Sequence, residues 1–275
     1  MDTDVPGELA SYVRRIVYVD CEEPIDADLP VPPTGYNYIQ WVLRATGEAA
    51  GSLTPAIVDG SAFGVAGQIS DVEARFQFTG RMRHIVAELT AAGMYSLLGL
   101  YGEQIRNSTV FFDKQHPCYD DRVENFLSEE WEEKPIDDLL AAFKKYLIDL
   151  AQSPNDVPAY VSLGAERSEA NCGDISIKVM AGDISERHFS RQFSKYTGAT
   201  PKFFNNVIRV NAVLPKLLNA EQGELAEIAI EAGFFDQSHL IKTIRAVFDV
   251  TPKDLRDQIS FLIKKFHVDG HPPSE

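Results

Sequence analysis

Apolar positions change their rhythm part-way along the chain. Up to about Pro117, short runs rich in β-branched and aromatic residues (Tyr12 to Val19, Tyr36 to Leu43, Ala74 to Phe78) are separated by glycine and proline. That texture predicts strands and turns. From Asp120 the pattern is helical: Leu139, Leu140, Phe143, Tyr146, Leu147 and Leu150 recur at steps of three and four, which predicts an amphipathic helix. Its apolar stripe needs a partner surface, so the helix is expected to couple two domains or to pair with a second copy. Ser153-Pro154-Asn155-Asp156 breaks the pattern and places a boundary there.

Beyond that break the chain repeats itself at an offset of 51 residues. Ala181-Gly182 returns as Ala232-Gly233, His188 as His239, and Thr200-Pro201-Lys202 as Thr251-Pro252-Lys253. The pairs Phe189 and Leu240, Arg191 and Lys242, Phe193 and Ile244 keep their character. Each copy holds a short helix, a glycine, a capping residue (Ser185 or Asp236), a second helix and a Thr-Pro stop. Those are the parts of a helix-turn-helix. Gly233 permits a tight turn, and Ser185 and Asp236 can accept from the N–H groups that open the next helix. With Phe189 and Phe193 facing inward, Arg187, Ser190, Arg191 and Ser194 face outward, on the side that lies in a DNA major groove in such a motif.

The stretch Ile184-Ser185-Glu186-Arg187-His188-Phe189-Ser190-Arg191-Gln192-Phe193, with Gly198-Ala199-Thr200-Pro201 after it, resembles the first helix-turn-helix of the AraC/XylS family of bacterial transcription regulators. Ile228 to Leu240, ending in Val250-Thr251-Pro252, is similar to the second half of that signature. The likeness covers about 100 residues, from Val157 to Gln258. More weakly, the front of the chain resembles the β-rich effector domains found ahead of this module. The resemblance implies a sequence-specific regulator bound to double-stranded DNA, with its second helices in successive major grooves about 34 Å apart. Arg187, Ser190 and Arg191 from the first unit, and Gln237, Ser238 and Lys242 from the second, would meet bases or phosphates; Lys195, Lys202 and Arg209 would grip the backbone. RNA polymerase, a small-molecule effector and a second copy of the chain are further candidate partners; a membrane is not.

The expected fold class is therefore α+β. A mainly β sensor or oligomerisation domain spans 1–120, an amphipathic helix and linker 121–156, an all-α domain of two helix-turn-helix units 157–260, and a tail 261–275. Three departures from the family pattern carry their own expectations. Lys178 stands where Ala229 stands in the second copy and must snorkel away from the helix crossing. Pro215 should kink the helix that joins the units. Asp249, where a glycine is usual, should strain its turn.

Charge sharpens this picture. The net charge of −15 looks wrong for a DNA binder, yet residues 1–173 carry the whole excess, and 174–275 hold thirteen cations and thirteen anions. Residues 174–219 carry seven basic and three acidic side chains, whereas 220–275 carry six and ten. The first unit should dominate any DNA contact. Cys21, Cys118 and Cys172 are far apart and include no Cys-x-x-Cys, so neither a disulfide framework nor a thiolate metal site is expected. No apolar run reaches membrane-spanning length, and the acidic N-terminus differs from a signal peptide, which points to the cytoplasm.

Other candidate chemistry is thin, and no enzyme, cofactor or metal is expected. Glu129, Glu130, Glu132 and Glu133 form a charge run, better suited to a solvated face than to catalysis. His188 and His239 suit local hydrogen bonds better than a metal, and His267 and His271 lie in a Gly- and Pro-containing tail. Gly60-Ser61-Ala62-Phe63-Gly64 has its serine one place early for a nucleophile elbow. The aromatics Tyr36, Tyr38, Trp41, Phe63, Phe76, Phe78, Tyr95 and Tyr101 either form the core of the front domain or partly line a pocket for an uncharged or cationic ligand. Two function classes stay open: a DNA-binding regulator, and an interaction module that keeps the fold but acts through protein contact.

Overall fold

The computed structural model describes residues 2–30, 33–50, 60–70, 75–131, 133–219 and 224–266. Its N-terminal strands are β1 (Asp2–Thr3), β2 (Val13–Pro30), β3 (Tyr38–Ala50), β4 (Gly60–Ala66), β5 (Arg75–Leu89) and β6 (Thr109–Phe111). They form one antiparallel sheet in the order β1-β2-β5-β3-β4-β6. Trp41 lies opposite Phe63 on one side and Ile85 on the other. Because strand side chains alternate, this register gathers Ile39, Trp41, Phe63, Val65, Ile85 and Ala87 on one face, and Gln40, Val42, His84 and Val86 on the other.

The first face is covered by α1 (Gly93–Leu98), α3 (Asp121–Phe126) and α4 (Ile136–Ala151), with the short α2 (Gly102–Ile105) after α1. Leu139, Phe143 and Leu147 of α4 are completely buried in the same core as Trp41 and Phe63. Trp41 packs on Phe126 with ring centroids 4.5 Å apart, and its indole N–H donates to the Phe126 carbonyl at 3.0 Å. This corrects the expectation for α4 and decides between the two readings of the aromatics at Trp41 and Phe63. The stripe of α4 is spent inside its own chain, because the aromatic face of the sheet needs a second layer. Trp41 and Phe63 are core residues; Phe76 and Phe78 have side chains outside the described set.

The C-terminal part is helical: α5 (Ala159–Ala170), α6 (Ile177–Ala181), α7 (Glu186–Thr197), α8 (Pro201–Asn219), α9 (Leu225–Glu231), α10 (Gln237–Phe248) and α11 (Pro252–Phe266). It has two cores. Phe204 and Ile208 of α8 join Val161, Met180, Phe189 and Phe193, whereas Val207, Val210, Val213 and Leu217 of the same helix join Ile228, Leu240, Ile244 and Val247. One helix thus supplies a wall to each unit. It continues through Pro215 to Asn219. Pro215 is exposed and four residues from the helix end, and costs the one ladder bond that its N–H would have made to the Asn211 carbonyl.

The first unit is docked on the N-terminal part. Tyr36 and Ala91 belong to its core, and the Asn37 side-chain amide donates to the Thr197 carbonyl at 3.2 Å. Arg14 pairs with Glu169 of α5 at 3.1 Å and covers the Tyr36 ring at 3.9 Å, while the Tyr36 hydroxyl donates to Glu169 at 2.9 Å. Burial pushes the Tyr36 phenol well above its ordinary pKa, so it remains a donor. Behind these groups the buried Glu88 accepts from Arg14, Arg15 and Tyr38 at 3.3, 3.0 and 3.2 Å.

Candidate nucleic-acid interface

Each reading helix is started and stopped by local chemistry. The Ser185 hydroxyl accepts from the His188 N–H at 3.3 Å, and the Asp236 carboxylate from the His239 N–H at 2.7 Å, satisfying donors that have no partner in the first turn. Both helices end on a left-handed residue. Gly198 fills that place after α7, and Asp249 after α10 with φ of 53°. Aspartate is one of the few non-glycine residues that occasionally occupy this region, and its N–H closes on the Arg245 carbonyl at 2.9 Å.

The inward faces are Phe189, Phe193 and Tyr196 in α7, and Leu240, Ile244 and Val247 in α10. This leaves Arg187 and Arg191 exposed and Ser190 half-buried on α7, with Gln237, Ser238 and Lys242 exposed on α10. Arg187, Arg191 and Lys242 make no ion pair among the described residues. Lys202 is exposed at the start of α8. The other two basic candidates are engaged elsewhere. Lys195 Nζ sits 3.9 Å from the centroid of the Tyr101 ring of the N-terminal part. The Arg209 side chain is 13% exposed, pairs with Asp174 at 3.0 Å and also meets the Gly233 carbonyl.

The repeat slips ahead of Ala181. Lys178 is exposed rather than at a helix crossing, and Met180 and Ala181 are the buried residues of α6. The close approach in the first unit belongs to Gly164 of α5, where a Cβ would meet the Phe189 ring at 2.6 Å. Arg167 of α5, absent from the sequence argument, donates to the Met180 and Val179 carbonyls at 3.0 and 3.3 Å. The 51-residue offset carried no signal for it, since α5 lies outside the repeated segment.

The remaining polar candidates take structural partners. His188 Nε2 lies 3.0 Å from the Tyr160 hydroxyl, and His239 Nδ1 accepts from the Phe235 N–H at 3.4 Å. Ser61 sits within β4 and donates to the Leu127 carbonyl at 3.0 Å. Glu132, His267 and His271 lie outside the described residues. Among the described residues, no group of three His, Cys, Asp or Glu side chains could hold a metal ion, and no helix is long and apolar enough to cross a membrane. On its outer surface the first unit presents Arg187, Arg191 and Lys202. The second shows Glu224, Glu227 and Glu231, the last paired with Lys216.

Comparison with known families matches residues 181–258 to a helix-turn-helix domain. Among solved structures, the chain is similar to ToxT from Vibrio cholerae O395, at 11% identity over 91% of this chain and 99% of that one, with a TM-score of 0.47. It is also similar to ToxT from Vibrio cholerae strain SCE256 with an unsaturated fatty acid bound, at 10% identity over 93% and 97%, with a TM-score of 0.48. A transcriptional regulator from Chromobacterium violaceum, with an AraC-type DNA-binding domain, is 26% identical over 36% of this chain and 91% of that one, with a TM-score of 0.31. No curated protein matches the chain.

Proposed function

From the AraC-type helix-turn-helix domain that residues 181–258 carry, we propose that this chain is a transcription regulator that binds specific double-stranded DNA through two reading helices. The observation that carries the reading is the outer face of α7, where Arg187 and Arg191 stand exposed and unpaired among the described residues, on a helix whose opposite side is wholly committed to the core. Arginine can pair bidentately with guanine or grip phosphate. Ser190, Gln237, Ser238 and Lys242 complete the contact surface, and Lys202 meets the backbone.

The test is a salt titration of DNA binding. A regulator loses affinity steeply as salt rises, because each phosphate contact releases counterions. A module acting through protein contact forms no specific DNA complex at any salt. The second unit has one feature favouring a protein partner as well: Ile230 and Phe235 are 61% and 86% exposed, on a unit rich in exposed glutamate. RNA polymerase is the partner class that suits a regulator in the cytoplasm.

The N-terminal part is proposed to sense a small molecule. A cleft of about 710 Å³ runs between it and α5, lined by Arg14, Ser96, Asn155, Glu166 and Glu169. Its carboxylates suit an uncharged or cationic ligand. Such a ligand acts only through different affinity for the docked and undocked states.

A further inference from the structure

Three segments far apart in sequence meet at one side chain. Arg209, in the middle of α8, reaches Asp174 in the turn between α5 and α6 (Nη2 to Oδ1, 3.0 Å) and the main-chain carbonyl of Gly233 in the turn between α9 and α10. Its guanidinium lies over the Phe234 ring, 4.3 Å from the centroid. Gly233 is left-handed, with φ of 71°, and a Cβ added there would come within 2.8 Å of Asp174 Oδ2. The turn of the second unit therefore rests directly against a turn of the first.

The two ends of this contact are anchored by different forces. Toward the first unit α8 is held by directional bonds: the buried Ser168 hydroxyl donates to Asn205 Oδ1 at 2.5 Å, and Asn205 Nδ2 donates to the Ile175 carbonyl at 2.8 Å. Toward the second unit its partners are Ile228, Ala229, Leu240 and Val247, an apolar surface, with the Lys216–Glu231 pair beside it half-exposed and of the kind that contributes little. Apolar burial is non-directional, so by itself it lets the second unit roll on α8. The planar fork of Arg209, stacked on Phe234 and fastened to a carbonyl, is directional. Arg167 plays the same part inside the first unit, but its carbonyl partners stay within that unit. Arg209 joins one unit to the other.

We propose that Arg209 is a positioning residue that sets the angle and separation of the two reading helices, and so selects the spacing between DNA half-sites that the protein accepts. The inference rests on the DNA-binding reading above. Because the guanidinium is already shared among a carboxylate, a carbonyl and a ring, its part is to orient the second unit rather than to hold phosphate.

The experiment uses the full chain and the duplex it recovers from a random-sequence pool, prepared with the native spacer between the two contacted boxes and with one base pair more or fewer. Wild type should bind the altered spacers roughly tenfold more weakly. Arg209→Met should bind the native spacer roughly tenfold more weakly, treat all three spacers alike, and match wild type on a duplex holding only the box of the first unit. Arg209→Lys, which keeps the charge but not the fork, should follow Arg209→Met; Asp174→Asn, which leaves α8 untouched, should show the same indifference to spacing in weaker form. Rescue by lysine, or equal loss on one-box and two-box duplexes, would overturn the proposal in favour of a phosphate contact. Should wild type recover no duplex, the DNA-binding reading fails and hydrogen exchange decides the inference. Faster exchange over 225–236 in Arg209→Met, with 185–198 unchanged, supports it; unchanged exchange in both segments overturns it.

Discussion

Lys195, on the first reading helix, rests its ammonium group on the ring of Tyr101 from the N-terminal part, 3.9 Å from the centroid. Tyr101 is itself stacked on Tyr95 at 4.5 Å, and both meet Tyr196 edge-on at 5.3 and 4.9 Å. A cation expected to meet DNA is thus held by the domain proposed to sense a signal. One side chain of the reading helix thus belongs to the contact between the two parts.

Tyr101→Ala should release that side chain. An exposed cation–π contact is worth about 0.5–1 kcal/mol, so affinity for the selected duplex should rise about two- to fivefold at moderate salt. Fluorescence anisotropy of a labelled duplex reads this directly. An affinity that falls would mean that the tyrosine presents Lys195 to DNA instead of withholding it.

Arg191→Ala should cost about 1–3 kcal/mol of specific binding if the arginine pairs with a base. Lys242→Ala, in the acidic second unit, should cost less. Lys202→Ala should weaken all sequences alike and lower the salt slope by about one. Competition titrations at several salt concentrations separate the three behaviours, and equal binding by Arg191→Ala and wild type would remove Arg191 from the interface.

Glu169→Gln should loosen the docking of the two parts, since Arg14 and Tyr36 both converge on that carboxylate. These groups are partly exposed, so the loss should be about 1 kcal/mol. Calorimetry should show a lower melting midpoint, and limited proteolysis faster cleavage between α4 and α5. A variant as resistant as wild type would place the docking energy elsewhere, in Asn37 and the packing of Tyr36.

His84 should make stability fall in acid. Among the described residues its Nε2 is enclosed without a hydrogen-bond partner, and burial depresses its pKa to about 4. The unfolded ring takes up its proton near the ordinary pKa of about 6.5, so below that pH the unfolded state binds more protons than the folded one. Stability is then lost as pH falls from about 6.5 to about 4, by at most about 3 kcal/mol. Denaturant titrations across this range should show the slope in wild type and a flatter one in His84→Gln; identical slopes would mean that the ring finds a partner when charged.

What the sequence by itself determined is what short-range chemistry controls. Ser185 and Asp236 mark where the reading helices begin, because a capping oxygen acts only on the next turn. The spacing of Phe189 and Phe193, or Leu240 and Ile244, decides which side faces inward, so the exposed set Arg187, Arg191, Gln237, Ser238 and Lys242 could be read without coordinates. The tertiary structure decided everything that depends on what lies across a gap. A stripe such as that of α4 states that a partner exists but not which one, and the sheet face carrying Trp41 and Phe63 claimed it. Pro215 signals a lost hydrogen bond, but the helix goes on to Asn219 with Val210, Val213 and Leu217 buried against the second unit, packing that outweighs local propensity. Arg209 and Lys195 looked like free cations in the sequence, because a charge shows no partner until folding brings Asp174, Gly233 or Tyr101 beside it.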